Sequence, residues 1–110
     1  HGEFTTLNVL WDGGRILPID WETAAVACAE IDLAVLTFDW DLETVAAMER
    51  TYRDARWRGS APPDHGRTLL AARMYAAFHW LFGTPAGVGP ERVREHLAVL
   101  HAEGQRWGFT

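Results

Sequence analysis

Polar side chains at the start of the chain have the types that phosphoryl transfer requires. His1, Glu3 and Asn8 place an imidazole, a carboxylate and an amide in one short segment, and Asp20 adds a second carboxylate after the next apolar runs. Phosphoryl transfer needs a carboxylate that accepts or orients the proton of the attacking hydroxyl, together with oxygen ligands for a divalent cation. The segment supplies both kinds of group, so it is a candidate site for this chemistry.

A β-hairpin must bring these groups together, because Asn8 and Asp20 are distant in sequence. Residues 9–11 and 16–19 are short apolar runs, and the Asp-Gly-Gly-Arg turn between them is rich in residues that accept a positive φ. Pro18 cannot donate a hydrogen bond to a strand ladder, so its strand is expected to lie at an edge. In such a hairpin Asn8 and Asp20 can reach the same ion.

The chain beyond about Trp21 is predicted to be mainly helical. Residues 30–36 suit a short helix, although their apolar density also suits a buried strand. Asp39 or Asp41 can cap a second helix. The later helices are expected at about residues 42–57, 64–82 and 90–104, the middle one mostly buried. Their expected core-facing residues are Leu42, Val45, Met48, Tyr52 and Ala55, then Leu70, Met74, Ala77, Phe78 and Leu81, and finally Val93, Leu97 and Leu100.

Composition limits the classes of protein to which the chain can belong. It has 110 residues, 48% of them hydrophobic, and a net charge of −5, so one packed domain is expected and nucleic acid is not expected as a partner. No apolar run is long enough to cross a bilayer, so no membrane partner is expected. Cys28 stands alone, which excludes an internal disulfide or a cysteine-based zinc site and fits a reducing cytoplasm.

Short motifs in the first third of the chain resemble those of one enzyme family. They are His-Gly-Glu at residues 1–3 with Asn8 and Val-Leu-Trp-Asp-Gly-Gly after it, Ile-Asp-Trp-Glu at residues 19–22, and Asp-Leu-Ala at residues 32–34. Together they resemble the aminoglycoside phosphotransferase and choline kinase-like family. The resemblance implies an α+β fold, the C-terminal lobe of a protein-kinase-like enzyme, with a catalytic loop, a β-hairpin and a mainly helical remainder.

The resemblance also implies a role for each motif residue. Glu3 takes the position of the catalytic base, where the family usually has aspartate, and Asn8 and Asp20 take the positions that bind Mg²⁺. His1 supports the loop, and Asp32 buttresses it from a structural position. The extra methylene of glutamate can slow the reaction, since a misplacement of about 1 Å can cost about 100-fold in rate.

The implied function is ATP-dependent transfer of a phosphoryl group to a hydroxyl of a small molecule such as an aminoglycoside, an amino alcohol or a sugar. Mg²⁺ and ATP are the expected cofactors, and a cationic acceptor suits the acidic chain. The sequence has no glycine-rich phosphate loop and no lysine, since all its basic residues are arginine. Residues 1–110 are therefore expected to be the catalytic lobe of a longer cytoplasmic protein, inactive without an N-terminal nucleotide-binding lobe in cis.

Other interpretations use the same residues. A kinase-like lobe with Glu3 and no lysine can be a catalytically inactive helical module that binds a protein partner. The zinc deaminase His-x-Glu element needs a downstream Cys-x-x-Cys, which the single Cys28, expected in the core, cannot supply. Glu22 is a supporting acid that can face the same way as Asp20, or a solvated carboxylate.

The remaining histidines and most tryptophans are expected to be structural. Trp21 alone is expected near the site, as hydrophobic support. The histidines treated as surface or core residues, for lack of partners at metal-ligand spacing, are His65, His79, His96 and His101. The tryptophans expected to pack against helix faces are Trp40, Trp57 and Trp80, and the acids expected on solvated helix surface are Asp39, Asp41, Glu43 and Asp54.

Overall fold

The computed structural model describes residues 1–38, 40–83, 89–106 and 108 and has an α+β architecture. A single turn of 3-10 helix, Thr6–Asn8, leads into a two-stranded antiparallel sheet followed by helices. The strands are β1 (Val9–Asp12) and β2 (Arg15–Pro18), and the helices are α1 (Glu30–Leu36), α2 (Leu42–Arg56), α3 (His65–Gly83) and α4 (Pro90–Arg106).

The hairpin prediction is confirmed. Val9 pairs with Pro18 and Asp12 with Arg15, so the strands are joined by the tight turn at Gly13 and Gly14. Gly13 has a φ of 55°, in the left-handed region that glycine enters without a steric penalty. Pro18 ends β2, where its missing N–H interrupts no ladder.

The core forms where α1 packs against α3, and α4 also contacts α3. Its buried members are the small or branched side chains of Ala34, Val35, Ala72 and Ala76, with Ile31 and Phe38 packed against them. Alanines one turn apart on α3 let α1 approach closely. Residues 30–36 are therefore a helix and not a strand, since their apolar residues fit this alanine face.

Parts of the predicted core are wrong, because the helices pack through small residues. On α2 Val45 is buried, but Leu42 is 83% exposed, and on α3 Phe78 is 56% exposed. On α4 Leu97 is 51% exposed. The other expected core positions divide as follows: Ala77 is buried, Met48, Tyr52, Leu70, Met74 and Leu100 are half-buried, Ala55 and Val93 are exposed, and the side chain of Leu81 lies outside the described part.

The start of α2 and the end of α3 lie where the sequence predicts them, whereas Cys28 does not. Asp41 caps α2 by accepting hydrogen bonds from the Thr44 N–H at 2.9 Å and the Thr44 hydroxyl at 2.6 Å, and Asp39 lies outside the described residues. α3 ends at Gly83, as expected, whereas α4 continues through Gly104 to Arg106. Cys28 is exposed, so its expected place in the core is wrong; it lies in the irregular segment that precedes α1.

A buried carboxylate joins three helices. Glu30, the first residue of α1, is 5% exposed. It accepts a hydrogen bond from the Tyr52 hydroxyl of α2 at 3.2 Å, and its carboxylate lies 3.7 Å from Nδ1 of His65 in α3. Burial, with the neighbouring Glu30 charge, raises the pKa of Tyr52 above its ordinary value.

No helix in the described part of the chain combines the length and apolarity that crossing a bilayer requires.

Candidate functional site

The loop that precedes the hairpin is fastened to α1. The backbone nitrogens of His1 and Gly2 each donate a hydrogen bond to the Asp32 carboxylate at 2.8 Å. Gly2 has a φ of 91°, and a Cβ there would lie 2.6 Å from the carbonyl oxygen of Thr23. Only glycine fits this position. The loop therefore follows one defined path from Asp32 towards Glu3.

The His1 ring ties this loop to the far end of the hairpin. Its Nε2 lies 2.9 Å from the carbonyl oxygen of Ile19, and its Nδ1 lies 3.3 Å from the backbone nitrogen of Glu3. Both contacts are hydrogen bonds in the tautomer that carries its proton on Nε2, since a carbonyl only accepts and an amide N–H only donates. The Trp21 ring packs beside the imidazole, with centroids 4.6 Å apart. His1 thus holds the segments that carry Glu3 and Asp20.

Asn8 is oriented with its amide oxygen left for a ligand. Its Nδ2 donates to the carbonyl oxygen of Glu3 at 3.0 Å, which assigns the opposite end of the amide to Oδ1. Its backbone carbonyl accepts the N–H of Ile19 at 2.9 Å, which extends the hairpin ladder past Pro18. This bond places Asn8 beside the residue that precedes Asp20.

Asp20 has the unusual backbone conformation of the site. Its φ is 62°, the left-handed region that aspartate enters more readily than most residues but at a cost in free energy. Its side chain is exposed. Within the described residues, neither the Asp20 carboxylate nor that of Glu3 has a hydrogen-bond or ion-pair partner, so both are available to a ligand.

These groups line one cleft of about 310 Å³. Glu3, Asn8 and Asp20 all contribute to its wall, so the structure brings together the residues that the sequence singled out for phosphoryl transfer. Glu22 is exposed and does not line the cleft. Asp32 lies behind the loop, at an apolar cavity of about 460 Å³ that His1 and Trp21 also line. The remaining residues of the cleft wall are Thr5, Leu7, Val35, His79 and Trp80.

His79 and Trp80 are the members of the cleft that the sequence analysis missed. Both lie near the end of α3, and they reach the cleft because α3 packs against α1 beside the loop. Trp80 packs against Phe38, as expected of a packing residue, but both Trp80 and His79 also line the cleft, which the sequence analysis did not foresee. No local pattern could have revealed this, since the contact joins residues about seventy positions apart in the chain.

The donor set of the cleft fits Mg²⁺. Magnesium is usually held by one or two protein oxygens and completes its octahedron with water and phosphate oxygens. The Asn8 amide oxygen and the Asp20 carboxylate are hard oxygen donors of this kind, and neither is engaged elsewhere in the described part. No cluster of three or more His, Cys, Asp or Glu side chains that could hold a metal occurs among the described residues. The described side chains therefore do not supply a complete set of metal ligands.

Comparison with known proteins identifies a family. The model of the family described as "Phosphotransferase enzyme family" matches residues 1–71, which include the loop, the hairpin, α1, α2 and the start of α3. The match includes Glu3, Asn8, Asp20 and Asp32 but ends before His79 and Trp80. No curated protein and no solved structure gives a significant match.

Proposed function

The chain belongs to the phosphotransferase enzyme family, and on that premise we propose that it carries the catalytic residues of an ATP-dependent small-molecule kinase. The reaction would transfer the γ-phosphoryl group of ATP to a hydroxyl of the acceptor. The observation that carries the proposal is the shared cleft of Glu3, Asn8 and Asp20. The cytoplasm, which supplies ATP and Mg²⁺, is the compartment in which we propose that it acts.

Each residue of the cleft has a chemical task in this proposal. Glu3 accepts or orients the proton of the attacking hydroxyl, because its carboxylate has no other partner in the described part. The Asn8 amide oxygen and the Asp20 carboxylate would hold Mg²⁺, which would neutralise charge on the phosphates. His1 and Asp32 keep these groups in place through their hydrogen bonds to the loop and to Ile19.

The partner that we propose for residues 1–110 is an N-terminal nucleotide-binding lobe in the same protein. The sequence contains no lysine, and phosphoryl transfer in kinases relies on a lysine that pairs with the phosphates. The hairpin presents apolar side chains to solvent, with Leu10, Trp11 and Ile16 at 51%, 71% and 60% exposure. Exposed apolar surface of this kind favours contact with another part of a protein.

The acceptor that we propose is a small molecule with a free hydroxyl. Cationic acceptors are favoured, since the chain has a net charge of −5 and the cleft has two carboxylates without partners in the described part. A catalytically inactive module that binds a protein is the competing function, and no contact among the described residues favours it over the enzyme.

An acceptor screen on the protein with its nucleotide-binding lobe tests the proposal. Glucose, homoserine, choline and kanamycin would each be incubated with ATP and Mg²⁺, and phosphorylated product would be measured by mass spectrometry. We expect Mg²⁺-dependent product with at least one acceptor class and none from residues 1–110 alone. Failure to bind ATP in the presence of Mg²⁺ would contradict the enzyme and favour the inactive module. Steady-state turnover by the isolated 110 residues would contradict the need for the second lobe.

A further inference from the structure

We propose that Trp80 and His79, near the end of α3, form the acceptor-binding wall of the cleft and select an acceptor that has a second oxygen besides the reacting hydroxyl. This inference rests on the proposed function and deepens it. Trp80 would donate a hydrogen bond from its indole N–H to that second oxygen, while its ring and the His79 ring would pack against the acceptor's carbon skeleton.

The position of the acceptor follows from Glu3. A general base must lie within hydrogen-bond reach of the hydroxyl whose proton it takes, so the acceptor must enter the part of the cleft that Glu3 lines. Asn8 and Asp20 occupy the same wall and are assigned to the metal and the phosphates. The other polar side chains of the cleft are Thr5 on the loop and His79 and Trp80 on α3. Thr5 and the two α3 residues are therefore left to contact the acceptor, and the α3 residues are the ones of these three that present rings.

The size of the cleft supports this division. Its volume of about 310 Å³ lies at the lower end of small-molecule sites, which span about 300–1,000 Å³. It has room for a small acceptor and the phosphoryl group that is transferred, whereas the nucleoside must lie outside it. Trp80 and His79 therefore contact the acceptor and not the adenine ring.

Trp80 has a polar atom that lacks a partner. Its indole nitrogen is buried and makes no hydrogen bond to any residue that the structure describes. A buried N–H without an acceptor is unfavourable, and tryptophan usually finds one. The ring is held in place by Phe38, with centroids 6.3 Å apart and planes 27° from parallel. An acceptor oxygen at the Trp80 side of the cleft would supply the missing hydrogen bond once a small shift of the ring exposes the nitrogen, which is covered in the unliganded protein.

His79 stacks on a neighbouring ring and makes no hydrogen bond within the described part. It is half-buried and stacks on Tyr75, one turn earlier on α3, with centroids 5.9 Å apart and planes 20° from parallel. The stacking restricts the orientation of the imidazole, so a bound acceptor would find it already ordered. We assign His79 the weaker contribution, because its ring nitrogens are not as buried as the Trp80 N–H.

Indole resonances provide a direct test. The chain has 6 tryptophans, so a ¹H–¹⁵N spectrum of the protein with its nucleotide-binding lobe resolves their side-chain N–H groups, and Trp80→Phe identifies the Trp80 signal. Glucose, homoserine or choline would be titrated in the presence of Mg²⁺ and a non-hydrolysable ATP analogue. We expect glucose or homoserine to move the Trp80 N–H proton downfield, as a new hydrogen bond does, and we expect no downfield shift with choline, which has a single oxygen. The Trp57 signal should stay unchanged, since that ring packs on His65 with centroids 4.6 Å apart, outside the cleft.

Kinetics separate this role from a merely structural one. Trp80→Phe keeps the aromatic ring and removes the N–H, so the acceptor KM should rise about tenfold, the effect of one lost hydrogen bond, while kcat and the KM for ATP stay nearly constant. His79→Gln should raise the same KM by a smaller factor. Trp57→Phe, the matched control, should leave all three constants unchanged.

The outcomes distinguish the inference from the proposed function. Transfer to an acceptor with the Trp80 signal unmoved and the KM of Trp80→Phe unchanged would overturn the acceptor wall alone. Choline as the preferred acceptor would overturn the requirement for a second oxygen. Absence of transfer to every acceptor, with ATP bound or not, would overturn the proposed function, and this inference would fall with it.

Discussion

Two carboxylates of α1 support two different regions of the molecule. Asp32 accepts hydrogen bonds from the backbone nitrogens of His1 and Gly2 and so holds the loop that carries Glu3. Glu30, two residues earlier, is buried and contacts Tyr52 of α2 and His65 of α3. Residues two positions apart point to nearly opposite sides of a helix, so one short helix serves both regions. The loop is held by polar contacts, whereas the helices are held by small apolar side chains and one buried charge.

This difference predicts that activity and stability can be lost separately. Changes on the loop side should impair catalysis with a limited loss of stability, and changes at Glu30 should destabilise the helices and leave the cleft chemistry intact. Substitutions on each side of α1 either separate the two regions or show that they are coupled, and all are made in the protein that includes the proposed nucleotide-binding lobe.

The largest effect is expected for Asp20→Asn. Asparagine tolerates the φ of 62° at this position, so the fold should keep its melting temperature, while the loss of the negative oxygen ligand should lower kcat by at least about 100-fold. The assay is acceptor phosphorylation at saturating ATP. Glu22→Gln, outside the cleft, is the control and should remain active. Full turnover by Asp20→Asn would end its assignment as a metal ligand.

Asp32→Ala should affect both measurements, activity more than stability. It leaves the backbone donors of His1 and Gly2 without their acceptor, which should cost about 1–3 kcal/mol of unfolding free energy and let the loop move. A displacement of Glu3 by about 1 Å should lower kcat by about 100-fold. Asp12→Ala removes only an exposed ion pair with Arg15 and serves as the control. If denaturant melts and kcat were both unchanged, the loop would not depend on Asp32.

Glu30→Gln should act on the helices alone. The Glu30 charge is one of the causes that raise the Tyr52 pKa, after burial, so the substitution should lower the pH at which Tyr52 ionises. Because the Tyr52 pKa is raised in the folded state, its contribution to stability is fully present below pH 10.0, the ordinary pKa of tyrosine. The contribution is lost as pH rises through the pKa of Tyr52 in the folded protein. The near-UV absorbance of tyrosinate, with Tyr52→Phe to identify the signal, measures both proteins.

Two results would alter this interpretation of Glu30. An unchanged Tyr52 titration in Glu30→Gln would mean that burial alone raises the pKa. A fall in kcat that equals that of Asp32→Ala, in protein that is still folded, would show that the two sides of α1 are coupled.

The smallest effect is expected for Asp41→Ala, which removes the cap of α2. Hydrogen bonds from Thr44 lower the Asp41 pKa, first that from its hydroxyl and then that from its N–H. The contribution of the charged Asp41 cap to stability is present above pH 3.8, the ordinary pKa of aspartate. It is lost as pH falls through the pKa of Asp41 in the folded protein. Thermal melts should therefore show a small decrease at neutral pH that disappears in acid. An equal decrease at both pH values would contradict the charged cap.

Much of the site could be predicted because its geometry is local. Hydrogen bonds within the hairpin fix its register, and Asn8 and Asp20 lie at the ends of that register. The start of α2 could be predicted for the same reason, since Asp41 and Thr44 are neighbours on one turn. The buried residues of the later helices were less predictable. Apolar spacing shows which face of a helix is apolar, but it does not show which other helix covers that face.

By itself, the sequence determined the hairpin, the loop before it and the family motifs, because contacts between near neighbours depend on residue type and spacing. Only the tertiary structure decided that Trp80 and His79 line the cleft, and that Glu30 and Asp32 face different regions. These outcomes depend on how α3 packs against α1, and that packing is set by the alanines of the core, which carry no signal of the chemistry beside them.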